Sequence, residues 1–207
     1  MDDIFSETTV IPVLTIARAA DAVPLARALV RGGLRVIEIT LRTPDALVAI
    51  GEISRAVPDA IVGAGTVLTV ADVSRAVAAG ARFLVSPGLT PDLAAAGLAS
   101  DLPYLPGAVT PSEIIAAREL GFPLLKFFPA AACGGVAALR SYEAVFAGIA
   151  FCPTGGISAE NAGEFLALGN VPMIGGSWMA PPQAVADGDW QRIEALARDA
   201  ARLRPVR

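Results

Sequence analysis

Short apolar runs recur along the chain, and each is followed by a turn signal and then by a segment whose apolar residues have helical spacing. The runs are β-branched or otherwise apolar and only four or five residues long, which predicts strands. Eight strands are predicted, at Val10–Leu14, Val36–Thr40, Ala60–Ala64, Phe83–Ser86, Tyr104–Gly107, Leu124–Phe127, Ile149–Pro153 and Val171–Gly175. Eight helices are predicted around Ala20–Arg31, Pro44–Ala56, Ala71–Ala79, Pro91–Ala99, Pro111–Leu120, Gly135–Phe146, Ala159–Leu168 and Trp190–Leu203.

The strand–helix unit repeats about every 25 residues, with no change of composition and no linker between units. This pattern predicts the α/β class and a minimal (β/α)8 TIM barrel that forms a single domain over residues 1–207. The alternative is an open doubly wound sheet, which usually has a glycine-rich loop after its first strand. No such loop follows Val10–Thr15, so the barrel is favoured.

The composition agrees with a sheet that is buried on both faces. Apolar residues make up 54% of the chain and the mean hydropathy is +0.59, against a usual apolar share of roughly 45–50%. Parallel strands covered by helices account for this excess. Gly, Pro, Arg or Asp interrupts every apolar run before the roughly 18 residues of a membrane helix. The acidic start, Met1-Asp2-Asp3, is unlike a secretory signal, so we expect a cytoplasmic protein without a membrane partner.

Charge and residue counts exclude several classes of function. The net charge is −4 and no Lys/Arg cluster is present, so a nucleic-acid partner is not expected. The chain contains no histidine, which excludes Ser-His-Asp and Cys-His nucleophile systems and the common His-bearing zinc sites. Cys133 and Cys152 form no CxxC motif, and we interpret both as small buried apolar residues. No metal site is therefore predicted.

Lys126 is the only lysine, beside fifteen arginines. Arginine keeps its proton in proteins, whereas a desolvated lysine can release it and present a free amine. The surrounding Leu124–Pro129 is an apolar strand in which a charged side chain is costly. Alternation places Lys126 on the same face as Leu124 and Phe128, which is the lumen of a barrel. Two interpretations remain open: an amine nucleophile, or a lysine ion-paired inside the barrel or at the end of the strand.

A carboxylate occupies a similar place on the second strand. Alternation puts Glu38, Thr40 and Arg42 on one face, rising toward the carboxyl end of the strand, where barrel active sites lie. The strand thus offers a base together with a guanidinium that suits bidentate recognition of a carboxylate. The alternative is a structural ion pair between Glu38 and Arg42.

Glycines and hydroxyl groups follow the last two strands, in Thr154-Gly155-Gly156 and in Gly175-Gly176-Ser177. Barrels often bind phosphate here, because backbone N–H groups of glycine can approach it closely beside a helix N-terminus. Two glycine pairs at corresponding places predict a phosphate site. Gly63–Thr66 and Ser86–Gly88 likewise place a hydroxyl and a rigid turn at the third and fourth strand ends, although turn chemistry alone also explains them.

Seven motifs in order resemble one family over essentially the whole chain, the 2-keto-3-deoxy-6-phosphogluconate (KDPG) aldolases, which include the bifunctional 4-hydroxy-2-oxoglutarate aldolases. The motifs are Val36-Ile37-Glu38-Ile39-Thr40-Leu41-Arg42-Thr43, Val62-Gly63-Ala64-Gly65-Thr66-Val67-Leu68, Ser86-Pro87-Gly88, Leu105-Pro106-Gly107, Lys126-Phe127-Phe128-Pro129-Ala130, Cys152-Pro153-Thr154-Gly155-Gly156-Ile157 and Ile174-Gly175-Gly176-Ser177-Trp178. The segment Ala130–Gly135 departs from the Glu and Asn that are more common in the family.

The resemblance implies a role for each matching residue. Lys126 resembles the Schiff-base lysine and Glu38 the general acid/base. The implied binding residues are Arg42 and Thr66 for the substrate carboxylate, Pro87 and Phe128 for the pyruvyl part, and Thr154, Gly155, Gly156, Gly176 and Ser177 for the phosphate. A homotrimer is implied as well. Arg42 favours the gluconate-type substrate, since the branch acting on the galactonate-derived epimer commonly lacks this arginine.

The expected reaction is cleavage of KDPG to pyruvate and glyceraldehyde 3-phosphate through an imine on Lys126, and also cleavage of 4-hydroxy-2-oxoglutarate to pyruvate and glyoxylate. No cofactor or metal is expected, because the iminium withdraws electrons as a Lewis acid would. Three alternatives remain: an aldolase for another 2-keto acid, such as the galactonate-derived epimer; a phosphate-binding isomerase that uses Lys126 and Glu38 as an acid/base pair; and a non-catalytic barrel that binds a phosphorylated metabolite.

Overall fold

The computed structural model describes residues 3–6 and 8–205. The strands are β1 Val10–Leu14, β2 Val36–Thr40, β3 Ile61–Gly65, β4 Leu84–Val85, β5 Tyr104–Leu105, β6 Leu124–Phe127, β7 Ala150–Pro153 and β8 Ile174–Gly176. The helices are α1 Asp3–Ser6, α2 Ala22–Arg31, α3 Ala46–Ala56, α4 Val70–Ala78, α5 Pro91–Leu98, α6 Pro111–Glu119, α7 Gly135–Val145, α8 Ala162–Leu166, α9 Pro182–Ala186 and α10 Trp190–Ala200, with a 3-10 turn at Ala19–Asp21.

All eight strands are parallel and together form a closed barrel. Six of them pair in the order β5-β4-β3-β2-β1-β8, and β6 pairs with β7. Single parallel bridges, Gly107 with Lys126 and Thr154 with Gly175, join β5 to β6 and β7 to β8. The predicted (β/α)8 barrel is confirmed.

The alternation along each strand separates two apolar layers. On β2, Ile37 and Ile39 face the surrounding helices, while Val36, Glu38 and Thr40 point to the interior, and all five are buried. The interior layer comprises Phe5, Ile11, Val36, Phe83, Val85, Leu105, Leu124, Cys152 and Met173. Burial on both faces of the strands explains the high apolar content of the chain.

The short helix α1 closes the amino-terminal end of the barrel. Its Phe5 is buried and packs edge-on against Phe83, with ring centroids 5.5 Å apart. Active sites of such barrels lie at the opposite end, where the strands end in loops.

The structure differs from the sequence-based elements mainly near the carboxyl end. The eighth strand spans Ile174–Gly176 instead of Val171–Gly175, because the Val171 N–H donates to the Leu168 carbonyl in a turn that follows α8. Helix α8 is shorter than predicted, since the Asn161 side chain accepts a hydrogen bond from the Ser158 N–H ahead of it. The sequence analysis missed α1 and α9, which have four and five residues. No helix in the described part of the chain is long and apolar enough to cross a membrane.

Candidate active site

Lys126 and Glu38 meet inside the barrel, although 88 residues separate them along the chain. The Lys126 Nζ donates to Glu38 Oε1 at 3.0 Å and lies 3.3 Å from Oε2, and the two side chains are 5% and 3% exposed. Glu38 thus contacts Lys126, while Arg42 bonds elsewhere, so the alternative pair of Glu38 with Arg42 is not formed. A buried ion pair costs desolvation energy, which makes it weak evidence for a stabilising role. The geometry also suits an amine with a base in contact.

Cys152 lies opposite Lys126 on the neighbouring strand β7. Burial raises the pKa of this thiol to about 12, while the Lys126 charge opposes the shift and the Glu38 charge adds to it. Cys152 is therefore a neutral thiol at ordinary pH, as the sequence predicted for a small buried residue, and does not compete with Lys126 as a nucleophile.

An aromatic ring lies beside the amine. The Lys126 Nζ lies 5.5 Å from the centroid of the half-buried Phe128 ring. Gly155 lies against the same ring: a Cβ at this position would be 3.3 Å from Phe128 Cδ2. The glycine therefore allows the loop after β7 to approach the aromatic ring next to the amine.

Arg42 and Thr66 form a polar pair at the ends of β2 and β3. The Arg42 Nε donates to the Thr66 hydroxyl at 3.1 Å, and the Arg42 side chain is exposed. Thr66 adopts a left-handed backbone conformation with a φ of 57°, which is uncommon for threonine and marks a functional or strained position. The pair presents a guanidinium and a hydroxyl together, a combination that suits a carboxylate.

The loops after β7 and β8 lie side by side, joined by the bridge between Thr154 and Gly175. Gly156 has a φ of 76°, and a Cβ there would lie 2.4 Å from Ala131 Cβ. A Cβ on Gly176 would lie 2.0 Å from the Trp178 ring. Neighbouring side chains therefore leave no room for a side chain at either glycine, while the predicted approach of their backbone to a phosphate stays a prediction.

Asn161 holds the loop after β7 through two hydrogen bonds. This role was not predicted from the sequence. Its Nδ2 donates to the Gly156 carbonyl at 3.0 Å while its Oδ1 accepts from the Ser158 N–H at 2.9 Å. An asparagine five residues after a glycine pair was the available signal, since Asn side chains commonly bond to nearby backbone groups.

The loop that carries Pro87 is held by side chains behind it. The Ser86 hydroxyl donates to the Gly88 carbonyl at 2.6 Å, so its 2.7 Å contact with Tyr104 is donated by the phenol. Burial raises the pKa of Tyr104 to about 12, with the Ser86 hydrogen bond opposing the shift. Gly107 packs on the loop so closely that a Cβ would lie 2.2 Å from the Pro87 carbonyl carbon. Tyr104 was predicted only as a strand residue.

Four groups of predicted residues thus lie at or near the carboxyl ends of the strands. They are the pair Lys126 and Glu38, the pair Arg42 and Thr66, the apolar residues Pro87 and Phe128, and the loop residues Thr154, Gly155, Gly156, Gly176 and Ser177. Within residues 3–6 and 8–205, no three Cys, Asp or Glu side chains are placed to share a metal ion.

Comparison with known proteins identifies the family. Residues 1–196 match the family model described as KDPG and KHG aldolase. The chain is 50% identical over 198 residues to the 2-dehydro-3-deoxy-phosphogluconate aldolase of Pseudoalteromonas atlantica, covering 96% of this chain and 92% of that protein.

Two solved structures are similar over nearly the whole chain. A KDPG aldolase from Legionella pneumophila, with pyruvate captured at low pH as a covalent carbinolamine intermediate, is 44% identical with a TM-score of 0.93 and 96% coverage of both chains. The 2-keto-3-deoxy-6-phosphogluconate aldolase of Zymomonas mobilis with 3-phosphoglycerate is 43% identical with a TM-score of 0.94, covering 99% of this chain and 96% of that one. The chain therefore belongs to the KDPG and KHG aldolase family.

Proposed function

We propose that the protein is a class I aldolase that cleaves KDPG to pyruvate and glyceraldehyde 3-phosphate. The observation that carries this proposal is the contact between the only lysine and Glu38, both buried at the carboxyl end of the barrel. Family membership supports the reaction class. The Legionella relative, which holds pyruvate as a covalent carbinolamine, supports covalent catalysis through an amine.

The contact allows one carboxylate to serve each proton transfer. Glu38 accepts the ammonium proton of Lys126 across 3.0 Å, and the free amine adds to the C2 ketone to give a carbinolamine. Glu38 gives that proton to the carbinolamine hydroxyl, which leaves as water, so the products are a protonated imine and a Glu38 carboxylate. The carboxylate then takes the proton of the C4 hydroxyl. The electron pair of the C3–C4 bond moves toward the imine nitrogen, which releases glyceraldehyde 3-phosphate and leaves the enamine of pyruvate. Glu38 returns its proton to C3, and water frees pyruvate and the amine.

The remaining residues would hold the two ends of the substrate. We assign the C1 carboxylate to Arg42 and Thr66, whose hydrogen bond presents both donors together. Pro87 and Phe128 would contact the pyruvyl carbons. The phosphate would lie on the paired loops after β7 and β8, formed by Thr154, Gly155, Gly156, Gly176 and Ser177.

We further propose cleavage of 4-hydroxy-2-oxoglutarate to pyruvate and glyoxylate, because the carboxylate clamp and the amine suffice for a substrate that has no phosphate. Arg42 favours the gluconate-type sugar acid over its galactonate-derived epimer. The imine on Lys126 is itself the electron sink, so the proposed reaction uses no further cofactor. A lactate dehydrogenase-coupled assay of pyruvate release, run on all three keto acids, ranks these substrates.

Trapping with borohydride tests the imine directly. We expect that incubation with pyruvate and borohydride adds one reduced pyruvyl group, located on Lys126 by peptide mass spectrometry. Lys126→Arg keeps the charge and loses the nucleophile, so it should take up no label and lose roughly 10⁴-fold or more in kcat. Glu38→Gln should still form the imine but turn over about 10²–10⁴-fold more slowly. Wild-type protein that stays unlabelled while binding pyruvate would contradict the mechanism.

We propose a homotrimer that assembles through the face formed by α4, α5 and α6. Among the described residues, most of the exposed large apolar side chains belong to this face and its edges: Leu68, Val70, Val77, Leu98, Ile115 and Leu120. These three helices follow one another around the barrel, so the side chains share one side of the molecule. An apolar face of this kind is typical of a contact between subunits.

A further inference from the structure

Gly65 ends strand β3, and a side chain at this position would occupy the space of the Glu38 carboxylate. A Cβ built on Gly65 would lie 2.0 Å from Glu38 Oε1 and 2.5 Å from both Cδ and Cγ. Real Cβ atoms do not approach other atoms so closely. The backbone of Gly65 is not in the left-handed region, so its φ and ψ angles do not require glycine. The position requires glycine because there is no room for a side chain.

Of the two Glu38 oxygens that accept from the amine, the one that occupies this space is the nearer. Glu38 Oε1 lies 3.0 Å from Lys126 Nζ, whereas Oε2 lies at 3.3 Å. Displacement of Oε1 by a methyl group at residue 65 would therefore change the distance over which the proton moves.

The backbone of Gly65 has little freedom to move away. Gly65 pairs with Thr40 in the register of β2 and β3, and its carbonyl accepts a hydrogen bond from the Leu41 N–H at 2.8 Å. The next residue, Thr66, is bonded to Arg42. Because strand and loop are attached to β2 on both sides of this position, the Glu38 side chain would have to yield.

We infer that Gly65 is a positioning residue of the aldolase reaction. It leaves the space in which the Glu38 carboxylate lies against Lys126, and so sets the geometry of proton transfer without touching the substrate. This inference rests on the proposed function, in which Glu38 moves the protons. The steps most affected are the proton transfers between Glu38 and the bound substrate, since the Lys126 ammonium can also lose its proton to water before the imine forms.

The test measures two steps of the reaction separately in Gly65→Ala. Borohydride trapping of pyruvate reports imine formation, and exchange of the pyruvate methyl protons with D2O, followed by proton NMR, reports proton transfer at C3. We expect trapping to remain within a few-fold of wild type while the exchange rate and kcat fall by about 10²-fold, the usual effect of a displacement near 1 Å. Exchange at the wild-type rate in Gly65→Ala would overturn the inference.

Gly63→Ala is the matched control on the same strand. Its Cβ would meet the Phe83 ring at 2.5 Å, and Glu38 is not among the atoms nearest to it. This variant carries a comparable steric cost in the interior, so a merely structural effect would slow exchange in both variants. We expect only Gly65→Ala to slow exchange relative to trapping; an equal effect in the control would contradict the inference.

A double variant separates positioning from stability. When Glu38→Ala has removed the carboxylate, Gly65→Ala has nothing to displace, and we expect it to change the exchange rate less than about twofold, a non-additive outcome. The same large loss in both backgrounds would overturn the inference. If Gly65→Ala alone does not fold, recovery of folded protein in the double variant supports the inference, and failure to recover contradicts it. Wild-type protein that neither traps nor exchanges pyruvate would instead refute the proposed function.

Discussion

At the scale of single residues, Lys126 and Glu38 show that the interior of the barrel holds an expensive polar contact. Both side chains are almost fully buried, and a well-packed apolar pair of similar volume is often as stable as, or more stable than, a buried ion pair. The layer beneath them is apolar, with Val36 and Leu124. The free energy of unfolding alone therefore does not explain the presence of this ion pair. The proposed amine chemistry, in contrast, requires both residues.

The loops after β7 and β8, to which the proposed function assigns the phosphate, allow a prediction at the same scale. Gly156→Ala would introduce a Cβ 2.4 Å from Ala131 at a φ of 76°, so we expect the loop to shift and its backbone donors to leave the phosphate. Loss of one hydrogen bond to a charged group costs about 1.5–3 kcal/mol, so kcat/KM for KDPG should fall roughly 10–100-fold. The coupled pyruvate assay measures this.

The substrate without a phosphate supplies the control. Cleavage of 4-hydroxy-2-oxoglutarate by Gly156→Ala should stay within about threefold of wild type, because that substrate carries no phosphate for the loop to bind. A similar loss for both substrates would show that residue 156 affects the amine site and would remove the phosphate assignment.

At the scale of elements, helices α4 and α6 begin with reciprocal caps. In α4, Thr69 accepts from the Asp72 N–H, and Asp72 accepts from the backbone N–H groups of Leu68 and Thr69 and forms an ion pair with Arg75. Burial acts to raise the pKa of Asp72, but the hydrogen bonds, led by that of Arg75, outweigh it and lower the pKa below 3.8. The carboxylate form is therefore the stabilising form.

This cap predicts how stability depends on pH. The pKa of Asp72 is lower in the folded than in the unfolded protein, so its contribution is present above about pH 4 and is lost as the pH falls through the folded value. Asp72→Ala should lower the free energy of unfolding by about 1 kcal/mol at pH 7 and by less at pH 3. Urea denaturation at the two pH values measures the difference; a penalty that stays equal at both would contradict the assignment.

Alternation and turn chemistry predicted most of the elements, and the reasons for the exceptions are physical. The predicted first and last residues of strands β1 and β2 agree with the structure. Both strands are largely apolar runs in the interior of the molecule, and each has a turn or a bend at either end. Helix α9 lies between β8 and α10 and has only five residues, which are too few to show helical periodicity. Strand β8 begins late because the apolar Val171, which looks like a strand residue, lies in a turn.

The candidate site, like the fold, was predicted from the sequence only in part. Alternation placed Lys126 and Glu38 in the lumen, and the glycine pairs indicated the loops. The contact between Lys126 and Glu38 depends on strands on different sides of a closed barrel, and no local pattern reports which side chains meet there. The inferred role of Gly65 depends on the space that its missing side chain leaves for Glu38, and that of Tyr104 depends on a buried contact with the Ser86 hydroxyl. Neither has a local sequence pattern.

At the scale of the whole molecule, the two ends of the barrel carry different groups. Phe5 packs on Phe83 toward the amino-terminal end, and the candidate site residues lie at or near the carboxyl ends of the strands. The face of α4 to α6 is on the outside of the barrel wall, so association of subunits can be tested without altering the interior.

The proposed trimer predicts a measurable mass. The chain has a mass of 21.1 kDa, so light scattering after size-exclusion chromatography should report three copies. Val77→Asp combined with Ile115→Asp, both on exposed positions of the proposed face, should yield the single-chain mass because charges are poorly tolerated in the core of an interface. A trimer that survives both substitutions would place the contact elsewhere. Val145→Asp, on α7 outside this face, is the matched control and should remain trimeric.

The burial of Lys126 has a practical consequence for handling the protein. Reagents that acylate lysines, which are commonly used to attach dyes or to couple a protein to a solid support, find no lysine on the outer surface, since the only one is enclosed in the barrel. In the proposed reaction, a small keto acid reaches this nitrogen and forms an imine with it. An immobilised preparation therefore needs a different handle, and a small electrophile that does label a lysine side chain counts active centres directly.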